Sequence, residues 1–204
     1  MSKVFYERYW KCQDILSDFP YKWPIVKKLL PPNSQLKLLD FGCGTGHLLK
    51  EVVKIRPDYR IYGVDISTKA LEVAKTRVPR GVFRFVSNDQ HIPFPNNSFD
   101  IILALDVLEH IYDTKTVFTE LARVLKPNGM LIITVPYNGK LKLILATLVA
   151  FDGYFNPYSP HIRFFNKSTL RRCLTDAKLS PLRFGYFGRF YPLSNGMYAI
   201  ATKR

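Results

Sequence analysis

The sequence holds only three cysteines, Cys12, Cys43 and Cys173, widely spaced and with no C-x-x-C pair among them. That excludes a disulfide framework and offers no zinc-ligand spacing, so all three are expected as reduced thiols. Also missing is any run approaching the ~18 uninterrupted apolar residues of a membrane-spanning helix. The opening stretch M-S-K-V-F-Y-E-R-Y-W lacks the apolar core of a secretory signal, and a cytoplasmic location is expected. No internal repeat or low-complexity stretch is found. Acidic residues are scarce, with 16 Asp and Glu against 30 Lys and Arg and a formal net charge of +14.

What is present is a globular chain. Its 204 residues are 47% hydrophobic and 14% aromatic, too apolar for disorder and of a size that suits one domain. The positive charge is unevenly placed: from Tyr137 to the end, eleven Lys or Arg stand against Asp152 and Asp176, a balance of +9. Such a field attracts an anionic partner, be it nucleic acid, a phosphorylated lipid or an acidic membrane face, or else only keeps the surface solvated.

From Leu36 onward, short β-like runs alternate with helical stretches, the pattern of a mostly parallel sheet with helices on both faces. Strands are expected at Lys37–Phe41, Arg60–Val64, Val82–Val86, Ile101–Ala104 and Met130–Val135, and helices at Gly46–Ile55, Thr68–Val78, Lys115–Leu125 and Lys167–Ala177. Ser67 and Asn166 supply helix-start chemistry for two of these. Two earlier helices, Val4–Leu16 and Trp23–Leu30, are expected to end at Phe19-Pro20 and Pro31-Pro32. The first carries Phe5, Tyr6, Tyr9 and Trp10. This segment is expected to pack on the sheet edge, with a lid over the site as the alternative. The whole reads as one domain over 1–204: a helical segment (1–33), a cofactor-binding core (34–136), an acceptor-pocket insertion and helix (137–178) and a final strand pair (179–204).

Chemistry begins at Asp40-Phe41-Gly42-Cys43-Gly44-Thr45-Gly46, where glycines let the backbone turn from strand to helix and lie directly beneath a ligand. A dinucleotide fold wants G-x-G-x-x-G, but the sixth position is His47 counted from Gly42 and Leu49 counted from Gly44. A P-loop is also excluded, because no Gly-Lys-Ser/Thr follows. The next strand ends in Asp65, twenty-three residues after Gly42, where a carboxylate can accept both hydroxyls of a ribose. A third ends in Ser87-Asn88-Asp89-Gln90. Three successive strand ends thus form one binding line.

These motifs, L-L-D-F-G-C-G-T-G, V-D-I-S, N-D-Q-H-I-P-F-P-N-N-S-F-D-I-I-L-A-L-D-V-L-E-H-I and L-A-R-V-L-K-P-N-G-M-L-I-I-T-V-P, closely resemble the class I S-adenosylmethionine-dependent methyltransferases. The likeness runs from about Leu38 to Pro136. It implies a three-layer αβα Rossmann-like fold with a seven-stranded sheet in the order 3-2-1-4-5-7-6, the last two strands being Leu179–Phe187 and Met197–Thr202. By the same resemblance, Asp40, Gly42, Gly44 and Gly46 surround the methionine part of S-adenosylmethionine and Asp65 the ribose. Ile66 lies against the adenine, Asp89 and Gln90 at its edge, and Leu105 in the methyl-donor pocket.

Methyl transfer from a sulfonium is an in-line displacement in which the protein mainly aligns the partners. A base is needed when the acceptor is an alcohol, and histidine is the usual choice. Of His47, His91, His110 and His161, the catalytic candidates are His110, directly after the fourth strand, and His161 in P-H-I-R-F-F. D-V-L-E-H is similar to an E-x-x-E-H that binds Mg²⁺ in ubiquinone-pathway and small-RNA methyltransferases. The spacing is expected to put Asp106, Glu109 and His110 on one helical face, with His161 as the later ligand of that reading. The same V-L-E-H also orders a loop in metal-free relatives, and that metal-free reading is preferred.

The insertion V-P-Y-N-G-K-L-K to N-P-Y-S-P-H-I-R-F-F looks like that of methyltransferases modifying cell-surface sugars and lipids. Its apolar run Leu141–Val149 is expected to be a buried capping helix, with contact to a membrane face as the alternative. The favoured function is O-methylation of a small-molecule, saccharide or lipid-linked acceptor. A metal-dependent RNA 2′-O-methyltransferase and a non-enzymatic adenosine-ligand-binding module are the alternatives.

Overall fold

Runs of Leu, Ile, Val and Phe with no alternation of polarity belong to strands covered on both faces, and the computed structural model places two of them, β1 (Lys37–Phe41) and β4 (Phe99–Leu105), at the centre of one sheet. The structure describes residues 7, 19–32, 35–87 and 91–204. The remaining strands are β2 (Arg60–Asp65), β3 (Val82–Phe85), β5 (Leu125–Pro136), β6 (Leu179–Phe187) and β7 (Gly196–Lys203), in the order β3-β2-β1-β4-β5-β7-β6. All pairings from β3 to β5 are parallel, while β7 runs antiparallel to both β5 and β6. This is the expected Rossmann-like order.

Helices α1 (Phe19–Leu29), α2 (His47–Ile55) and α3 (Thr68–Arg77) cover one face, where Val26, Leu49, Val52, Leu71 and Ala74 pack on Leu38, Ile101 and Leu103. Helices α4 (Thr114–Val124) and α7 (Lys167–Asp176) cover the other, burying Phe118, Leu121, Leu170 and Leu174 against Leu39, Ile102 and Ile133. These two faces make three layers. Ser67 caps α3 by accepting the Ala70 N–H, and Asn166 closes a capping box on α7, so both helix starts lie where their cap residues predict.

The expected helix Val4–Leu16 and its four aromatics lie outside the described residues, apart from Glu7. Phe19-Pro20 does not end a helix but opens α1, and Pro24 lies inside it. Pro20 falls in the first turn, where backbone N–H groups have no helical partner to lose, so the proline is tolerated there.

The insertion forms α5 (Lys140–Val149) and the short α6 (Phe151–Tyr154). The expected burial of Leu141–Val149 is overturned: Ala146 is its one buried residue, while Leu148 is 74% and Val149 82% exposed. The segment follows the C-terminal end of β5 with most of its side chains exposed. Lys142 fixes its base, donating from Nζ to the carbonyls of Tyr137 at 2.9 Å and Ser194 at 3.2 Å.

Candidate active site

The strand β1 delivers its last residues directly into a loop with three left-handed glycines, Gly42 (φ 81°), Gly44 (φ 50°) and Gly46 (φ 73°). At Gly42 a side chain is also excluded by space, because its Cβ would come within 2.7 Å of Val107 Cγ2. The loop is clamped from both sides. Arg77 on α3 donates to Thr45 Oγ1 at 2.7 Å and to its carbonyl at 3.1 Å. Asp65, at the end of β2, accepts the Gly44 N–H at 2.8 Å on one carboxylate oxygen and the Ser67 N–H at 2.8 Å on the other.

Asp40 and Asp65 are both buried, 4% and 5% exposed. Burial and the charge of Asp65 push Asp40 up to about 7. Burial lifts Asp65 to about 6 against the opposing hydrogen bonds from Ser67, Gly44 and Ile66, with Glu7 adding to the rise. Glu7 accepts the backbone N–H and hydroxyl of Thr68 at 3.0 and 2.9 Å, so a residue of the N-terminal segment reaches the start of α3 beside Asp65. Two buried carboxylates beneath a glycine loop suit a ligand that combines a cationic amino-acid part with sugar hydroxyls, and thus fit S-adenosylmethionine.

After β4 the chain turns sharply. Asp106 takes a left-handed conformation (φ 48°), and a single 3₁₀ turn, Leu108–His110, follows. The expected helical face is therefore absent. Asp106 points instead to Lys22 on α1, with which it forms a buried ion pair, and accepts the Thr134 hydroxyl at 3.1 Å. Glu109, His110 and His161 do converge, their ligand atoms lying within 4.8 Å of one another, and Asp106 stands outside that group. One carboxylate and two imidazoles suit a nitrogen-preferring ion better than Mg²⁺. Lys22 lies close enough for its positive charge to lower both histidines, and it opposes any cation there.

The four histidines separate by environment. His47 opens α2 with its ring 4.7 Å from Phe19, and His91 pairs with Glu120 at 3.2 Å. His110 and His161 face each other at 4.9 Å between ring centroids. His110 Nδ1 lies 3.1 Å from the Pro160 carbonyl, which only accepts, so Nδ1 carries the hydrogen and Nε2 holds the lone pair. Burial drops its pKa to about 4, with His161 and Lys22 adding to the fall, and the ring is neutral at pH 7. The Glu109 carbonyl accepts the N–H groups of Ile162 and Arg163 at 2.9 and 3.1 Å, which brings His161 back to the end of β4.

Of the expected cofactor residues, Asp40, Gly42, Gly44, Gly46 and Asp65 come together in one buried loop assembly. Ile66 follows β2 half-buried, and Leu105 closes β4 packed against the core. Asp89 and Gln90 lie outside the described residues. Three features escaped the sequence. Lys22, Arg77 and Asn138 are given no role by any motif that the sequence singles out. Buried Asn138 accepts the Tyr154 hydroxyl and donates to the Pro136 carbonyl at 3.0 Å, tying α6 to β5. An asparagine directly after an apolar strand and Pro136 was the signal available for it.

A protein family described as "Methyltransferase domain" matches residues 39–133. The demethylmenaquinone methyltransferase of Thermotoga maritima is 30% identical over 200 residues, covering 92% of this chain and 86% of that one. The 27-O-demethylrifamycin SV methyltransferase of Amycolatopsis mediterranei is 35% identical over 109 residues, covering 50% of this chain and 39% of that one. In fold, the chain is similar to the crystal structure of a SAM-dependent methyltransferase from Aquifex aeolicus, with a TM-score of 0.74, 17% identity and full coverage of both chains.

Proposed function

This chain is an enzyme of the class I S-adenosylmethionine-dependent methyltransferases, and from that premise we propose that it methylates a hydroxyl oxygen of a small-molecule acceptor, saccharide or lipid-linked. When bound, the cofactor supplies an electrophilic methyl group on a sulfonium. Asp40 and the backbone of Gly42, Gly44 and Gly46 hold its methionine part, and Asp65 its ribose. Ile66, Asp89 and Gln90 take the adenine, and Leu105 faces the donor pocket. The burial and raised pKa values of Asp40 and Asp65 support the first two assignments.

The observation that carries the acceptor side is the 3.1 Å contact of His110 Nδ1 with the Pro160 carbonyl, which assigns the hydrogen to Nδ1 and makes Nε2 the acceptor nitrogen at the end of β4. A base of pKa about 4 is weak. It suffices here because the hydroxyl gives up its proton as its oxygen gains the new bond and becomes strongly acidic. His161, against the same ring and more exposed, passes the proton outward.

An acceptor identified by an unbiased mass screen provides the assay. His110→Ala should then lower kcat ~10²–10⁴-fold while cofactor affinity by calorimetry stays unchanged. A kcat equal to the parent's removes the base role. Turnover should also survive a chelator. A metal-dependent RNA 2′-O-methyltransferase is the competing reading, supported by the basic outer face of α7, where Lys167, Arg171 and Arg172 line an open depression. RNA affinity that falls steeply between low and physiological salt, with transfer to RNA stopped by the chelator, favours that reading.

A further inference from the structure

An amphipathic helix normally turns its apolar stripe to the core, but α5 does the reverse. Leu141, Ile144, Leu145 and Leu148, spaced as one helical stripe, are all exposed. Phe151 at the start of α6 continues the apolar surface, 56% exposed. A second apolar tip lies on the β6–β7 connection, where Phe190 is 73% and Tyr191 62% exposed. The two tips spring from the same edge. Lys142 of α5 holds the carbonyls of Tyr137 and Ser194, and the Tyr137 ring meets Tyr186 edge to face at 4.9 Å and lies tilted 6.2 Å from Tyr191.

We propose that α5, α6 and the Phe190-Tyr191 tip form a docking face that lies in the headgroup region of an anionic lipid bilayer. Charge selects this occupant. Exposed Lys140 opens α5 and exposed Arg189 adjoins Phe190, whereas Asp152 is the only acid between Tyr137 and Arg163. An apolar patch rimmed by cations suits an anionic interface, where the apolar side chains enter the acyl boundary and the cations meet phosphates. Two like copies meeting through this face would instead oppose positive rims. With ten residues α5 is too short to cross, and no described helix is long and apolar enough to do so, so the face lies on the surface.

The same insertion runs from β5 through α5 and α6 to His161. An acceptor dissolved in the bilayer would therefore reach His110 and His161 along the docked segment. That route rests on the proposed acceptor, but the docking does not, because it requires neither cofactor nor methyl transfer.

The test is flotation of the full chain with vesicles of phosphatidylcholine alone and of phosphatidylcholine mixed with phosphatidylglycerol. Binding should appear with the anionic vesicles and weaken as salt is raised. The Leu148→Glu, Val149→Glu double variant should reduce it at least about tenfold with an unchanged melting temperature, because both residues are exposed. Absence of binding to either vesicle overturns the proposal. So does binding that the double variant leaves intact, which would mean that basic charge alone drives it. A dimer in sedimentation that the double variant dissolves would assign the face to a second copy. A Leu148→Cys thiol shielded from a polar reagent in the monomer, without vesicles, would assign it to another part of this chain.

Discussion

From β1 to α3, the proposed donor side is held by short contacts that tie the loop backbone down locally: Asp65 accepts two N–H groups, Arg77 holds the carbonyl and hydroxyl of Thr45, and Asp40 is sealed beneath the loop. From Asp106 to Phe165, the proposed acceptor side is held by long-range contacts and excursions: an ion pair from α1, a carbonyl on His110, and an insertion with its apolar stripe outward. The first arrangement suits a ligand of constant shape, because preformed cavities lose least entropy on binding. The second leaves room for variation, since loops and exposed helices change without disturbing a core.

Lys22, reaching Asp106 from α1, anchors the second region, and removing it should break the comparison most visibly. Its ammonium and the Asp106 carboxylate are 4% and 13% exposed. Lys22→Met leaves that carboxylate uncompensated, and a loss of roughly 3–5 kcal/mol is expected in denaturant titration. Adding Asp106→Asn should restore much of it. No recovery in the double variant would mean that Lys22 acts by filling space rather than by its charge.

A smaller effect is expected where the two loops touch. Gly42→Ala places a Cβ against Val107 Cγ2 at 2.7 Å in a left-handed backbone. A loss of about 1–3 kcal/mol, read by thermal unfolding, follows from overpacking and strain together. Val107→Ala in the same chain should return the steric part and leave the conformational part. Equal stability of the two variants would show that the halves are not in tight contact there.

The difference between the halves also sets how much the sequence disclosed. Donor-side elements declare themselves locally: an apolar run, a glycine turn and a terminal carboxylate recur within a few residues, and Lys37–Phe41 was read to the residue. The sheet order needed the resemblance, because crossovers are not written in any local pattern. On the acceptor side, Leu141–Val149 has a stripe that says helix, yet which way the stripe faces depends on what lies over it. Likewise D-V-L-E-H has helical spacing, but the buried pull of Lys22 on Asp106 and the contact of Val107 with Gly42 wind it into a 3₁₀ turn. The resemblance offers His161 as a late partner of Glu109 and His110, while their contact across fifty residues is made by the fold.

The mildest change tests the donor side by pH. Asp40 ionises near 7 in the folded protein instead of at its ordinary 3.8, so the folded state binds more protons than the unfolded state across that window. Stability of the free protein therefore falls as pH rises from about 4 to about 7 and is level above it. Asp40→Asn removes that slope and should leave the free protein more stable than the parent at pH 8, with little difference at pH 4. Cofactor affinity should move the opposite way. A cationic ligand prefers the ionised carboxylate, so binding below pH 7 releases a proton and tightens by up to about one decade per pH unit as pH rises. Asp65, at about 6, steepens the lower part. In the Asn variant the upper part of this slope should vanish, and affinity at pH 8 should drop by roughly 1–3 kcal/mol. Calorimetry in two buffers of different ionisation heat reads the released proton directly. A parent that releases none, or a variant that keeps the full slope, would move the cationic end of the ligand away from Asp40.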